Sequence, residues 1–214
     1  MTPRTLPRPS VPFPAIQPYR LAVGTELHRI HKSELRAAQF NPGLGAPTRF
    51  APFTDAAGAM VPSLYGGMTR ESAAFESIFH DIEPSAAFKT VRLDTVTSRS
   101  VSRVSVARDL RLAPLFAPDL KAWSIARTDL IETPKNTYDQ TVLWAQAIHA
   151  ADPTIEGLIW TSRQCDPICC VALFGDRVRE SDLPMVESLE VATNADLLLE
   201  LRTFGARAGI TLVS

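Results

Sequence analysis

Residues 25–32, TELHRIHK, set Leu27 and Ile30 among polar residues and read as a strand, along which side chains take the two faces with a period of two. Leu27, Arg29 and His31 then share one face, while His28 and Ile30 take the other. From Thr69 the period lengthens. Ala74, Phe75, Ile78, Phe79 and Ile82 recur at helical spacing, and the Thr69 hydroxyl can accept from the free first-turn amides. This predicts a helix over residues 69–80, preceded by a short strand over 63–66. Residues 89–93 and 101–107 read as strands with one exposed face. A second helix fits residues 137–150, with Thr137 and Gln140 in capping-box register ahead of Leu143, Trp144, Ala147 and Ile148. Residues 156–161 and the nearly continuous apolar run 168–174 predict two more strands, the latter central in a sheet. The pattern closes with a helix over residues 194–208, stopped by Gly209, and a strand over 210–213.

Strands and short helices mixed in this order, with no internal repeat, predict one α+β domain over residues 19–214. Ahead of it, residues 1–18 carry Pro3, Pro7, Pro9, Pro12, Pro14 and Pro18, which forbid helix and favour an extended arm. Val11, Phe13 and Ile16 of that arm can pack on the domain or on a partner. Residues 41–62 form a Gly/Pro/Ala-rich loop, an irregular length that a compact domain keeps mainly for a binding site.

Composition narrows the classes. With 214 residues, 45% of them hydrophobic, the chain can bury a core. Its 22 basic and 23 acidic side chains leave a formal charge of -1, so nothing global draws it to nucleic acid or an anionic membrane. No apolar run approaches the roughly 18–20 residues of a membrane span, and prolines break the N-terminal stretch where a signal peptide needs continuity, so the expectation is a cytoplasmic protein. Cys165, Cys169 and Cys170 lie in or beside an apolar strand, which fits reduced core thiols better than a disulfide framework, a zinc site or a nucleophile.

Four polar residues stand where chemistry can be placed. Arg29 on the first strand and Arg49 in the long loop are cations suited to phosphate. Glu76 falls at the margin of the helix's apolar stripe, where a carboxylate can face a cleft. Ser162 follows the apolar strand GLIWT, near the carboxyl end of a core strand. Neither a GxSxG elbow nor a Gly-rich phosphate loop is present. Taken singly, each residue fits a solvated or structural role at least as well, so a non-catalytic nucleotide-binding or protein-interaction module stands beside an enzyme, and a Cys/His hydrolase stands third.

The ordered elements LHRIH (27–31), RFAPF (49–53), LYGGMTRESAAFESIFHD (64–81) and GLIWTSRQ followed by VALFGDRV resemble the RES-domain family, over residues 26–178. The resemblance implies a fold similar to ADP-ribosyltransferases and a toxin that consumes NAD as substrate, restrained by a helix-turn-helix antitoxin. It implies transfer of ADP-ribose to water, phosphate or a protein such as phosphoribosyl pyrophosphate synthetase. Carried over, Arg29 and Arg49 are the cofactor-binding arginines, and Tyr65, Glu76 and Ser162 the catalytic residues. The chain departs from the family's GGRW by having PTRF around Arg49, and its loop before Tyr65 is longer.

Overall fold

The computed structural model describes residues 5–83 and 85–214. The first four residues of the proline-rich arm lie outside the described residues. In chain order the elements are β1 (Tyr19–Leu21), β2 (Glu26–Lys32), β3 (Phe53–Thr54), β4 (Met60–Val61), β5 (Ser63–Gly67), α1 (Arg70–Phe75), β6 (Thr90–Arg92), α2 (Leu93–Thr97), β7 (Arg99–Ser105), β8 (Leu110–Pro114), α3 (Ala117–Ala122), α4 (Arg127–Leu130), α5 (Tyr138–Ala151), β9 (Gly157–Thr161), β10 (Cys169–Phe174), β11 (Met185–Glu190), α6 (Ala195–Arg207) and β12 (Thr211–Val213).

Eight strands form one sheet in the order β1-β8-β9-β10-β5-β2-β7-β11. Every pairing in it is antiparallel except β8 with β9. The apolar run 168–174 lies inside the sheet as β10, flanked by β9 and β5, which is why both its faces are apolar. β2 is internal as well, so Arg29 is buried. Strands from the two halves of the sheet contribute Leu21, Leu27, Leu64, Val104, Leu112, Ile159 and Val171 to one core cluster, so one face of the sheet carries a continuous apolar layer. The opposite face carries two further clusters. Trp160, Cys170, Ala172 and Phe174 pack against Trp144, Ala145 and Ile148 of α5, and Ile30 and Val101 pack against α1 and α6.

The structure differs from the sequence reading at several elements, each for a local reason. The first regular helix ends at Phe75, and residues 76–81 continue as turns with a bend at Phe79. The Ile78 and Phe79 amides both donate to Ala74 O, at 2.8 and 3.1 Å, so the helical ladder does not advance. The widened turn still buries Phe79 against Phe75, ring centroids 5.4 Å apart. Thr69 does cap α1, its hydroxyl accepting from the Ser72 amide at 3.1 Å. Thr137 does not cap α5, because its hydroxyl donates back to Pro134 O at 2.7 Å, and Gln140 accepts from the Leu6 amide instead. The strand expected over 89–93 is three residues long and turns straight into α2. It pairs in parallel with β12, outside the main sheet. β8 and β11 are sheet strands that the periodicity did not single out, and the long loop contains the small β3–β4 ladder. Asn194 caps α6, and Gly209 ends it at φ +72, a left-handed conformation suited to glycine.

Candidate active site

Strand alternation decides which predicted residues can meet. Directly paired residues of neighbouring strands face the same side, and His28 pairs with Gly67, Gly67 with Cys170, and Cys170 with Trp160. Tyr65, two residues before Gly67, therefore shares the face of Trp160. Ser162 follows the end of β9 near the same face, and the turn after α1 brings Glu76 to it.

The Ser162 hydroxyl, fully buried, donates to Glu76 Oε1 at 2.6 Å and accepts from the amides of Gln164 and Cys165 at 3.2 and 3.1 Å. Two backbone donors thus point the hydroxyl hydrogen at the carboxylate. Arg49 Nη1 lies 3.7 Å from Glu76 Oε2, an ion pair between side chains that are 6% and 14% exposed. The guanidinium stands over the Tyr138 ring, 5.5 Å from its centroid. Its Nε is buried and has no hydrogen-bond acceptor among the described residues. A buried guanidinium donor left unused is a place for an anionic oxygen.

The loop carrying Arg49 is fastened from two sides. Tyr65 Oη accepts from the Phe50 amide at 3.1 Å and shares a hydrogen bond with Thr48 Oγ1 at 2.9 Å. Thr141 of α5 donates to Arg49 O at 2.6 Å. Burial pushes the Tyr65 hydroxyl up to about 12, so it stays neutral here. Arg163 closes the opposite wall, donating to Thr133 O and His80 O at 3.1 Å each, while Gln164 donates to His80 O at 2.8 Å.

Glu76, Ser162, Arg49 and Tyr65 are thus brought together from α1's end, β9's end, the long loop and β5. Arg29 is not brought to them. It shares the face of Leu27, which the Gly66 position and Val171 line on the other side of the sheet. Its Nη1 donates to Ala37 O at 2.9 Å and Arg36 O at 3.3 Å, and burial lowers its pKa to about 10, which leaves it charged at neutral pH. The expectation of Arg29 beside Arg49 is corrected on this geometry, because side chains alternate along β2 and the register fixes which face Arg29 takes. Thr48, Tyr138, Thr141 and Arg163 were not singled out by periodicity, since each acts through a contact distant in sequence. The three thiols are all pushed up by burial, which disfavours the nucleophilic thiolate. Two surface clefts, of about 700 and 570 Å³, hold none of the four assembled residues.

Comparison with known proteins adds two findings. The family model described as the RES domain matches residues 26–194. Solved structures of similar fold include a chain from the crystal structure of the M.tuberculosis MbcT-MbcA toxin-antitoxin complex. That likeness has a TM-score of 0.59 at 16% identity, covering 86% of this chain and 92% of the other. No curated protein matches the chain.

Proposed function

The chain belongs to the RES-domain family, and from that premise we propose that it is the toxin of a toxin-antitoxin pair, cleaving NAD at the nicotinamide-ribose bond. The observation that carries the reading is the Glu76 carboxylate, held by Ser162 at 2.6 Å and flanked by Arg49 at 3.7 Å, from three separate segments. As the C1′–N bond breaks, its electron pair leaves with nicotinamide and positive charge builds on the ribose. A carboxylate hydrogen-bonded to the ribose hydroxyls and fixed beforehand stabilises that charge more than it stabilises the substrate. Ser162 keeps Oε1 occupied, which leaves Oε2 toward the sugar. Arg49, with its unused Nε–H, suits a pyrophosphate oxygen. Tyr65 positions the Arg49 loop through its hydroxyl rather than acting as a proton carrier. ADP-ribose then passes to water, phosphate or a protein side chain, whichever oxygen or nitrogen attacks C1′ and loses its proton. Release of nicotinamide from NAD, followed with and without phosphate and with cell extract, tests the reading and identifies the acceptor. Glu76→Gln should abolish release; undiminished release in that variant removes Glu76 from the chemistry.

A cell that makes such an enzyme needs a restraint, and an antitoxin is the partner this reading calls for. Its simplest action is to cover Glu76 and Arg49 with an anionic group of its own. Co-expression should then restore growth, and the purified complex should release no nicotinamide.

A further inference from the structure

The proline-rich arm lies outside the family match at residues 26–194, yet it is fastened to the helix that holds the Arg49 loop. Two backbone groups of the arm are bonded to α5: the Leu6 amide donates to Gln140 Oε1 at 2.7 Å, and Pro7 O accepts from Trp144 Nε1 at 2.9 Å. Gln140 and Trp144 are one turn apart and so present a single face. Phe13 packs edge-on against Trp123 and Trp144, with centroids 5.2 and 6.0 Å away, and Ile16 joins the same cluster. Leu6 is 4% exposed, whereas Val11 points outward. Elsewhere on its surface α5 grips the long loop three times: Thr141 donates to Arg49 O at 2.6 Å, Gln146 donates to Thr54 O at 3.0 Å, and the Tyr138 ring lies under the Arg49 guanidinium.

We infer that the arm is an intramolecular brace, with Leu6 and Phe13 as positioning residues that seat α5 and thereby set where Arg49 stands relative to Glu76. The physical need is plain. The loop over residues 41–62 is long and irregular, its two strands have two residues each, and α5 supplies much of what fixes it. A helix held on one side only can rock, and a rocking α5 carries Arg49 with it. The arm's proline content lowers the entropy lost when it docks. The inference rests on the proposed site in one respect, that Arg49 acts on NAD.

Amide exchange and turnover separate the two claims in full-length protein. In Phe13→Ala, amides of residues 48–54 should exchange at least about tenfold faster while β9 and β10 keep their protection. Phe13→Leu, which refills the space between the two tryptophans, should behave as the parent. Nicotinamide release should fall in Phe13→Ala with a raised KM for NAD and recover in Phe13→Leu. If Phe13→Ala loosens β9 and β10 as well, the smaller truncation Leu6→Ala is judged by the same criterion. Unchanged exchange over residues 48–54 in Phe13→Ala, or in Leu6→Ala where that variant decides, overturns the brace. A parent protein that releases no nicotinamide overturns the NAD reading instead, and the exchange result still decides the arm.

Discussion

Ser162 does its work through a single hydrogen bond. Removing the hydroxyl in Ser162→Ala frees Glu76 Oε1 and leaves the Gln164 and Cys165 amides without their acceptor. Under the proposed chemistry the cost falls on the transition state, so kcat should drop by about 10- to 100-fold with a smaller change in KM. Steady-state nicotinamide release checks this. Tyr65 has a different signature. Its hydroxyl is raised from 10.0 to about 12 in the folded state by burial, so the folded protein holds this proton more tightly than the unfolded chain does. The stability it contributes is fully present below pH 10 and is lost as pH rises toward about 12. Urea midpoints measured on either side of that window should fall in the parent and fall less in Tyr65→Phe. At neutral pH Tyr65→Phe should itself be less stable by about 1–2 kcal/mol, because the Phe50 amide loses its acceptor. Arg29 serves the fold, tying down the turn after β2, and Arg29→Met leaves the carbonyls of Arg36 and Ala37 without their donor. The denaturation midpoint should drop accordingly, by about 1–3 kcal/mol in stability.

Glu76 depends on how α1 starts and stops. Gly67, at the end of β5, sits so close to the first turn that an added Cβ would lie 2.7 Å from the Ala73 amide nitrogen and closer still to Ser72 Oγ. Gly67→Ala therefore forces α1 away from the sheet, and with it Glu76. Thermal unfolding should show a loss of about 1–3 kcal/mol, and nicotinamide release should fall together with it. Thr69→Ala removes only the cap and costs about 1 kcal/mol while leaving the backbone path in place. The pair of variants separates a displaced helix from a merely weakened one, since only the first should depress kcat in the fraction that remains folded.

Across the whole molecule, residues distant in sequence share one face of one sheet. Part of this is legible in local pattern. The strand over 25–32, the apolar run 168–174, the cap at Thr69, the stop of α6 and the mixed α+β class all follow from side-chain pattern and local hydrogen bonding, which act over a few residues. The order of the Arg, Tyr, Glu and Ser elements pointed to the RES family, now matched over residues 26–194. Tertiary structure decided the rest. The helix through Glu76 is shorter than its period suggests because packing of Phe79 outweighs the advance of the ladder, and β8 and β11 are strands because neighbouring strands offer partners. Arg29 and Arg49 are alike as residues, but the register of β2 against β5 and β7 turns Arg29 to the far face, and a loop pinned by Tyr65 and Thr141 brings Arg49 to Glu76. Pairing register and long-range hydrogen bonds join positions tens of residues apart, and no local pattern in the chain encodes which of two equivalent cations they will select.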